Sequence, residues 1–254
     1  MNSKTLALLA AAPAALAVSL LAAPQAAVAQ DAAPLSFNVG VVSDYRYRGI
    51  SQSRLRPAIQ GGVDYAIPGG FYVGAWASSI KWIKDAGGGA NAEIDLYGGF
   101  KGTFGDGIGF DVGALTYQYP GHDLATSPNT TEVYGALSFG PATAKYSHSV
   151  TNLFGFADSK NSGYLDLTAT FDMGEGFSLA PHIGYQRVAG SGNSDFSYWD
   201  YALTVSKEYF GIGFSAAVVG AQTKDIGGVP AYTSPANGKN LGKAGIVIGA
   251  KKTF

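Results

Sequence analysis

The sequence predicts an all-β fold, a transmembrane antiparallel up-and-down β-barrel of about twelve strands, on three observations. Its hydrophobic pattern has period two rather than 3.6. Its segments are long, many of ten residues or more. The connections between them alternate between tight Gly/Pro-rich turns and long polar loops, as in outer-membrane barrels. Composition agrees. Glycine is 36 of 254 residues, charged residues are 14% and aromatics 13%, against about 25% charge and about 7% Gly in ordinary globular domains.

The first segment reads as a leader. MNSK precedes the apolar run TLALLAAAPAALAVSLLAA, and Ala27-Val28-Ala29 offers an A-x-A cleavage signal. Residues 1–29 are therefore expected to be a cleaved signal peptide, and residues 30–254 the barrel. With Lys4 removed the charge stays near neutral, which excludes the basic surface a nucleic-acid partner needs. The chain has no cysteine and three histidines, so neither disulfides, thiol chemistry nor structural zinc is expected. No cofactor is expected either. After the leader, no apolar run approaches the ~20 residues of a transmembrane helix.

Strands are expected near 35–48, 55–67, 71–82, 91–102, 108–119, 130–139, 142–152, 162–172, 177–188, 197–207, 211–222 and 242–254. In the first, Leu35, Phe37, Val39, Val41, Tyr45 and Tyr47 share one face, and Asp44, Arg46 and Arg48 the other. In the fourth, Ile94, Leu96 and Phe100 oppose Glu93, Asp95, Tyr97 and Lys101. In the eighth, Leu165, Leu167 and Phe171 oppose Asp166 and Asp172. In the tenth, Trp199, Tyr201, Leu203 and Val205 oppose Asp200, Thr204 and Ser206. Tight turns follow at 68–70, 104–107, 139–142, 173–176 and 208–211. The even strand count puts both ends of the barrel on the short-turn side. Closure satisfies every backbone polar group in a bilayer.

These faces give the candidate residues. Asp44, Arg46, Arg48, Glu93, Asp95, Lys101, Lys145, Asp166 and Asp200 are expected inside, lining a pore or pairing across a plug, with the arginines as its cationic side. Tyr45, Tyr47, Trp199 and Tyr201 are expected in the outer aromatic girdle, and Gly49 to Ser53 in the first surface turn. Phe254, terminal in GIVIGAKKTF, resembles the C-terminal signal read by the barrel assembly machinery, although Lys252 departs from its apolar pattern.

The runs FNVGVVSDYRYRGISQS, PAIQGGVDY, GFYVGAW, AEIDLYGGF, DVGALTYQYPG, YSHSVTNLFG, SGYLDLTATFD and SYWDY resemble the TorF family of suspected porins, long labelled Gcw_chp and of unknown function. The resemblance covers nearly the whole mature chain. It implies an outer-membrane β-barrel, with no established substrate and no assigned catalytic residue.

Enzymatic readings are weaker. Ser147, His148 and Ser149 are adjacent on a strand, so His148 points away from both serines and cannot activate them. His122 with Asp123 falls in a loop, and the Gly-rich stretches lack the P-loop lysine. The expected function is passive diffusion of small hydrophilic solutes through the outer membrane, with its lipids and the assembly machinery as further partners. The alternatives are a non-conducting barrel, either structural or binding a ligand through loops 83–90 and 223–240, and, more distantly, a lipid hydrolase.

Overall fold

The computed structural model describes residues 34–254. The expected leader and its cleavage site lie outside the described residues. Twelve strands carry the chain: β1 Leu35–Val42, β2 Ala58–Ile67, β3 Phe71–Ser79, β4 Ala92–Phe104, β5 Ile108–Gln118, β6 Thr130–Phe139, β7 Ala142–Ser149, β8 Gly163–Ala169 continued by Phe171–Gly174, β9 Phe177–Arg187, β10 Tyr198–Tyr209, β11 Ile212–Gln222 and β12 Gly245–Thr253. Each pairs antiparallel with its sequence neighbours. β1 also pairs with β12, with Val39 opposite Lys252, and closes the sheet on itself. Closure leaves no exposed sheet edge.

The side-chain alternation follows the pleat. On β1, Leu35, Phe37, Val39 and Val41 point outward and are exposed. On β10, Trp199, Leu203 and Val205 point outward while Asp200 and Thr204 are buried inside. The outer surface is thus a belt of large apolar residues, and the interior carries the polar and charged ones. That distribution inverts the one water selects.

All five short connections join strand pairs at the end where β1 begins. Six longer connections gather at the other end. Four strands run close to their predicted extents, but β1 stops at Val42 and β7 at Ser149 rather than continuing to residues 48 and 152. At the end of β1, the Ser43 amide still bonds the Ile248 carbonyl at 2.9 Å. The chain then leaves the wall and turns into the barrel.

Candidate functional site

The segment that turns inward is Ser43–Pro57. Arg46–Tyr47 pairs with Ile50–Ser51 as a small hairpin of its own, with Tyr47 opposite Ile50. Its two-residue turn, Arg48–Gly49, has both residues at positive φ, 47° and 78°. That is the backbone of a primed hairpin turn, whose twist matches paired strands. Gly49 is required twice. A Cβ there would sit 2.7 Å from the Asp200 Cβ and 2.8 Å from the Gly220 carbonyl oxygen, so the hairpin tip presses on the wall at β10 and β11. Asp44 ties the base together, accepting from Arg46 Nε at 2.5 Å, Ser51 Oγ at 2.5 Å and Ser53 Oγ at 3.1 Å.

From this position the hairpin reaches several walls at once. The Tyr45 hydroxyl donates to Glu93 Oε1 on β4 at 2.5 Å, and Tyr119 donates to the other Glu93 oxygen at 2.7 Å. Burial, reinforced by Glu93, pushes the Tyr45 phenol well above its ordinary range, so it stays a donor. The Tyr47 hydroxyl donates to that of Tyr117 on β5 at 2.8 Å. Arg48 grips Glu132 on β6 with both terminal nitrogens, at 3.1 and 2.7 Å, and donates to Gln186 Oε1 on β9 at 2.6 Å. Its guanidinium lies over the Tyr164 ring at 4.1 Å. Burial opposes the Arg48 charge, and Glu132 overrides that and holds it. Arg46 donates to the carbonyls of Gly49 and Leu241, each at 2.9 Å.

Other loops fold over the same mouth. Ile83, in the helical turn Trp82–Asp85, is fully buried in the cluster that holds Tyr45, Tyr47 and Trp76. Asp85 in that turn pairs with Arg54 of the hairpin segment and accepts from Ser234 Oγ at 3.2 Å. Loops 83–90 and 223–240 are therefore tied to the hairpin rather than standing free above it.

The structure relocates part of the predicted site. Tyr45 and Tyr47, expected in the outer girdle, are 2% and 7% exposed inside the barrel. Gly49, Ile50, Ser51 and Ser53 are buried there too, with Gln52 half-buried, so the stretch is not a surface turn. Asp44, Arg46 and Arg48 are interior, but on the hairpin and not on β1. The physical cause is the break after Val42: the alternation keeps its parity across it while the chain changes direction. Trp199 and Tyr201 do face outward, with Trp199 packed 4.8 Å from Tyr185.

Glu93, Asp95 and Asp200 are buried on the inner wall beside the hairpin. Lys101 and Lys145 lie in the short-turn half and Asp166 nearer the long-loop end of β8, all three partly accessible from the lumen. Lys145 lies over the Tyr134 ring at 4.3 Å and Lys101 over Tyr72 at 5.6 Å. Tyr72 donates to Asp111 at 2.6 Å and Tyr97 to Asp64 at 2.5 Å. Sequence reasoning missed Glu132, the anchor of Arg48. Its signal was available in TEVYGAL, where Val133 alternates outward against it. It also missed His182, which bonds Asp200 at 2.8 Å and reaches Asp166 at 3.4 Å on the inner wall.

Ser147 and Ser149 face inward, while His148 is turned to Asn161 at 3.2 Å. His122 is spent on the Leu124 amide at 3.0 Å. Among the described residues no group of three or more acidic or histidine side chains is placed to hold a metal ion. Phe254 is exposed on the outer face, and its backbone exchanges hydrogen bonds with Phe37 at 3.2 and 2.8 Å.

Solved structures share this architecture. A KdgM porin aligns with a TM-score of 0.54 at 7% identity, covering 86% of this chain and 99% of that one. A KdgM porin in complex with disordered oligogalacturonate gives 0.51 at 5% identity, over 87% and 98%. A NanC porin gives 0.50 at 10% identity, over 86% and 98%. At such identities the likeness is one of fold. Among curated proteins no sequence matches. A family model described as a bacterial protein of unknown function, Gcw_chp, matches residues 26–254. The chain therefore belongs to the Gcw_chp family.

Proposed function

We propose that the protein is an outer-membrane channel for passive diffusion of small hydrophilic solutes, with the Ser43–Pro57 hairpin as its constriction. The observation that carries this reading is the inverted barrel: an apolar outer belt around an interior whose short-turn half is charged and partly open to solvent, through Asp64, Lys101, Asp111, Lys145 and Lys251. A barrel built only as a structural anchor has no need of an accessible charged lumen. The outer belt fits a bilayer, and its strands of 8 to 13 residues fit the ~9 to 11 that cross it with tilt. Export by the N-terminal leader and assembly through Phe254 complete the reading.

Swelling of proteoliposomes in small sugars tests it. Swelling faster than in protein-free liposomes is expected; rates equal to the protein-free control would overturn the proposal.

A second reading has its own support. The hairpin tip presses on β10 and β11, Arg48 reaches β6 and β9, and residues 44–51 are buried, which fits a permanent plug in a non-conducting barrel with binding loops. Permeation that stays at background until the hairpin is excised would favour that reading.

A further inference from the structure

The charges around the hairpin do not cancel. Asp44 is paired with Arg46 and Glu132 with Arg48. Glu93 accepts two phenol hydroxyls. Asp95 has nothing: both its carboxylate oxygens are buried without a hydrogen-bond partner, and the residue is 1% exposed. An isolated buried carboxylate is costly, and native structures pair such groups, keep them protonated or give them a ligand; only a cation lets the group stay charged. The two arginines, the obvious cations of this sequence, are spent within their ion pairs.

The neighbours of Asp95 indicate what would pair with it. On the inner wall it sits directly opposite Trp76 on β3 and Tyr117 on β5, positions whose side chains touch across strands. These are the rings against which Tyr45 and Tyr47 pack edge-on, at 5.4 and 5.5 Å. Glu93 lies two residues away on the same face and Glu132 one strand beyond Tyr117. A single free carboxylate among aromatic rings suits a monovalent cation, above all an ammonium group, which gains from the carboxylate and the ring faces together. It does not offer the six or more oxygens a calcium ion takes.

We propose that Asp95 is a cation-binding subsite at the constriction, and that it biases the lumen toward cationic solutes, those bearing an ammonium group in particular. The selectivity part rests on the channel reading; the binding part does not.

Two measurements separate them. In bilayers under a KCl gradient, the wild type is expected to show a zero-current potential of cation preference. Asp95→Asn should lower the K⁺/Cl⁻ permeability ratio, by up to about tenfold for the loss of one unit charge at the constriction, and Asp195→Asn in the surface loop should leave it unchanged. Binding is read without conduction. In a Trp82→Phe/Trp199→Phe background, Trp76 fluorescence is titrated with methylammonium, choline or K⁺. A saturable response lost in Asp95→Asn supports the subsite. Response to K⁺ alone assigns it to inorganic ions, and response to the amines to an organic ammonium. No saturable response to any of the three in the folded barrel overturns the subsite. An anion-preferring wild-type channel overturns the selectivity. Absent conduction with saturable binding would sink the channel reading and leave the subsite standing.

Discussion

Arg48→Met removes the cation that the hairpin delivers to the far wall, and its cost can be worked from the contacts. Glu132 is buried, and the pair is bidentate at 2.7 and 3.1 Å. Breaking a buried pair from one side costs about 3–5 kcal/mol, because the surviving charge is left uncompensated. The bond to Gln186 and the contact with Tyr164 add about 1 kcal/mol each. A hairpin can also escape by leaving the wall, so the loss divides between global stability and local release. Two readouts capture both: equilibrium urea unfolding of the refolded barrel, and tryptic cleavage at Arg46, which is buried in the wild type. We expect a loss of about 3 kcal/mol or more, or rapid cleavage at Arg46 in an otherwise folded barrel. Arg48→Met with Glu132→Gln should recover most of the loss, since no charge is then stranded. If Arg48→Met unfolds within about 1 kcal/mol of wild type and Arg46 stays protected, the pair does not hold the hairpin.

Further outcomes follow from the same contacts. Gly49→Ala places a Cβ at positive φ against the β10–β11 wall, so the tip should lift and Arg46 become cleavable by trypsin in the folded barrel. Tyr45→Phe leaves one Glu93 oxygen without its donor and should cost about 1–3 kcal/mol in urea unfolding. Leu203→Arg, on the outward face of β10, should cost about 2–4 kcal/mol in lipid vesicles if that face meets the bilayer core; an unchanged unfolding midpoint in vesicles would argue that it does not.

Much of the barrel was legible from the sequence because the code of a wall strand is local. Trp199, Leu203 and Val205 against Asp200 and Thr204 state their faces in one stretch, and the tight turns announce themselves in PGG and MGEG. The hairpin was not legible by that route. Tyr45 and Tyr47 have the same parity as Val39 and Val41, so alternation cannot tell a strand that continues outward from one that breaks at Ser43 and folds back. The distinguishing features were of another kind: two arginines and an aspartate near a possible two-residue turn at Arg48–Gly49, with Tyr47 and Ile50 flanking it. Partners such as Glu132 and Gln186 lie 84 and 138 residues away in sequence, and only barrel closure brings them to Arg48. The free state of Asp95 is likewise invisible locally, because it depends on which acids the two arginines take.

Single-channel recording of the refolded protein beside a variant whose Ser43–Pro57 segment is replaced by a short Gly-Ser turn tests the central claim most directly. The account predicts small stepwise conductances for the wild type and distinctly larger ones for the variant, since both would share one lumen and differ in its constriction. A folded wild type and a folded variant that both remain electrically silent would contradict it.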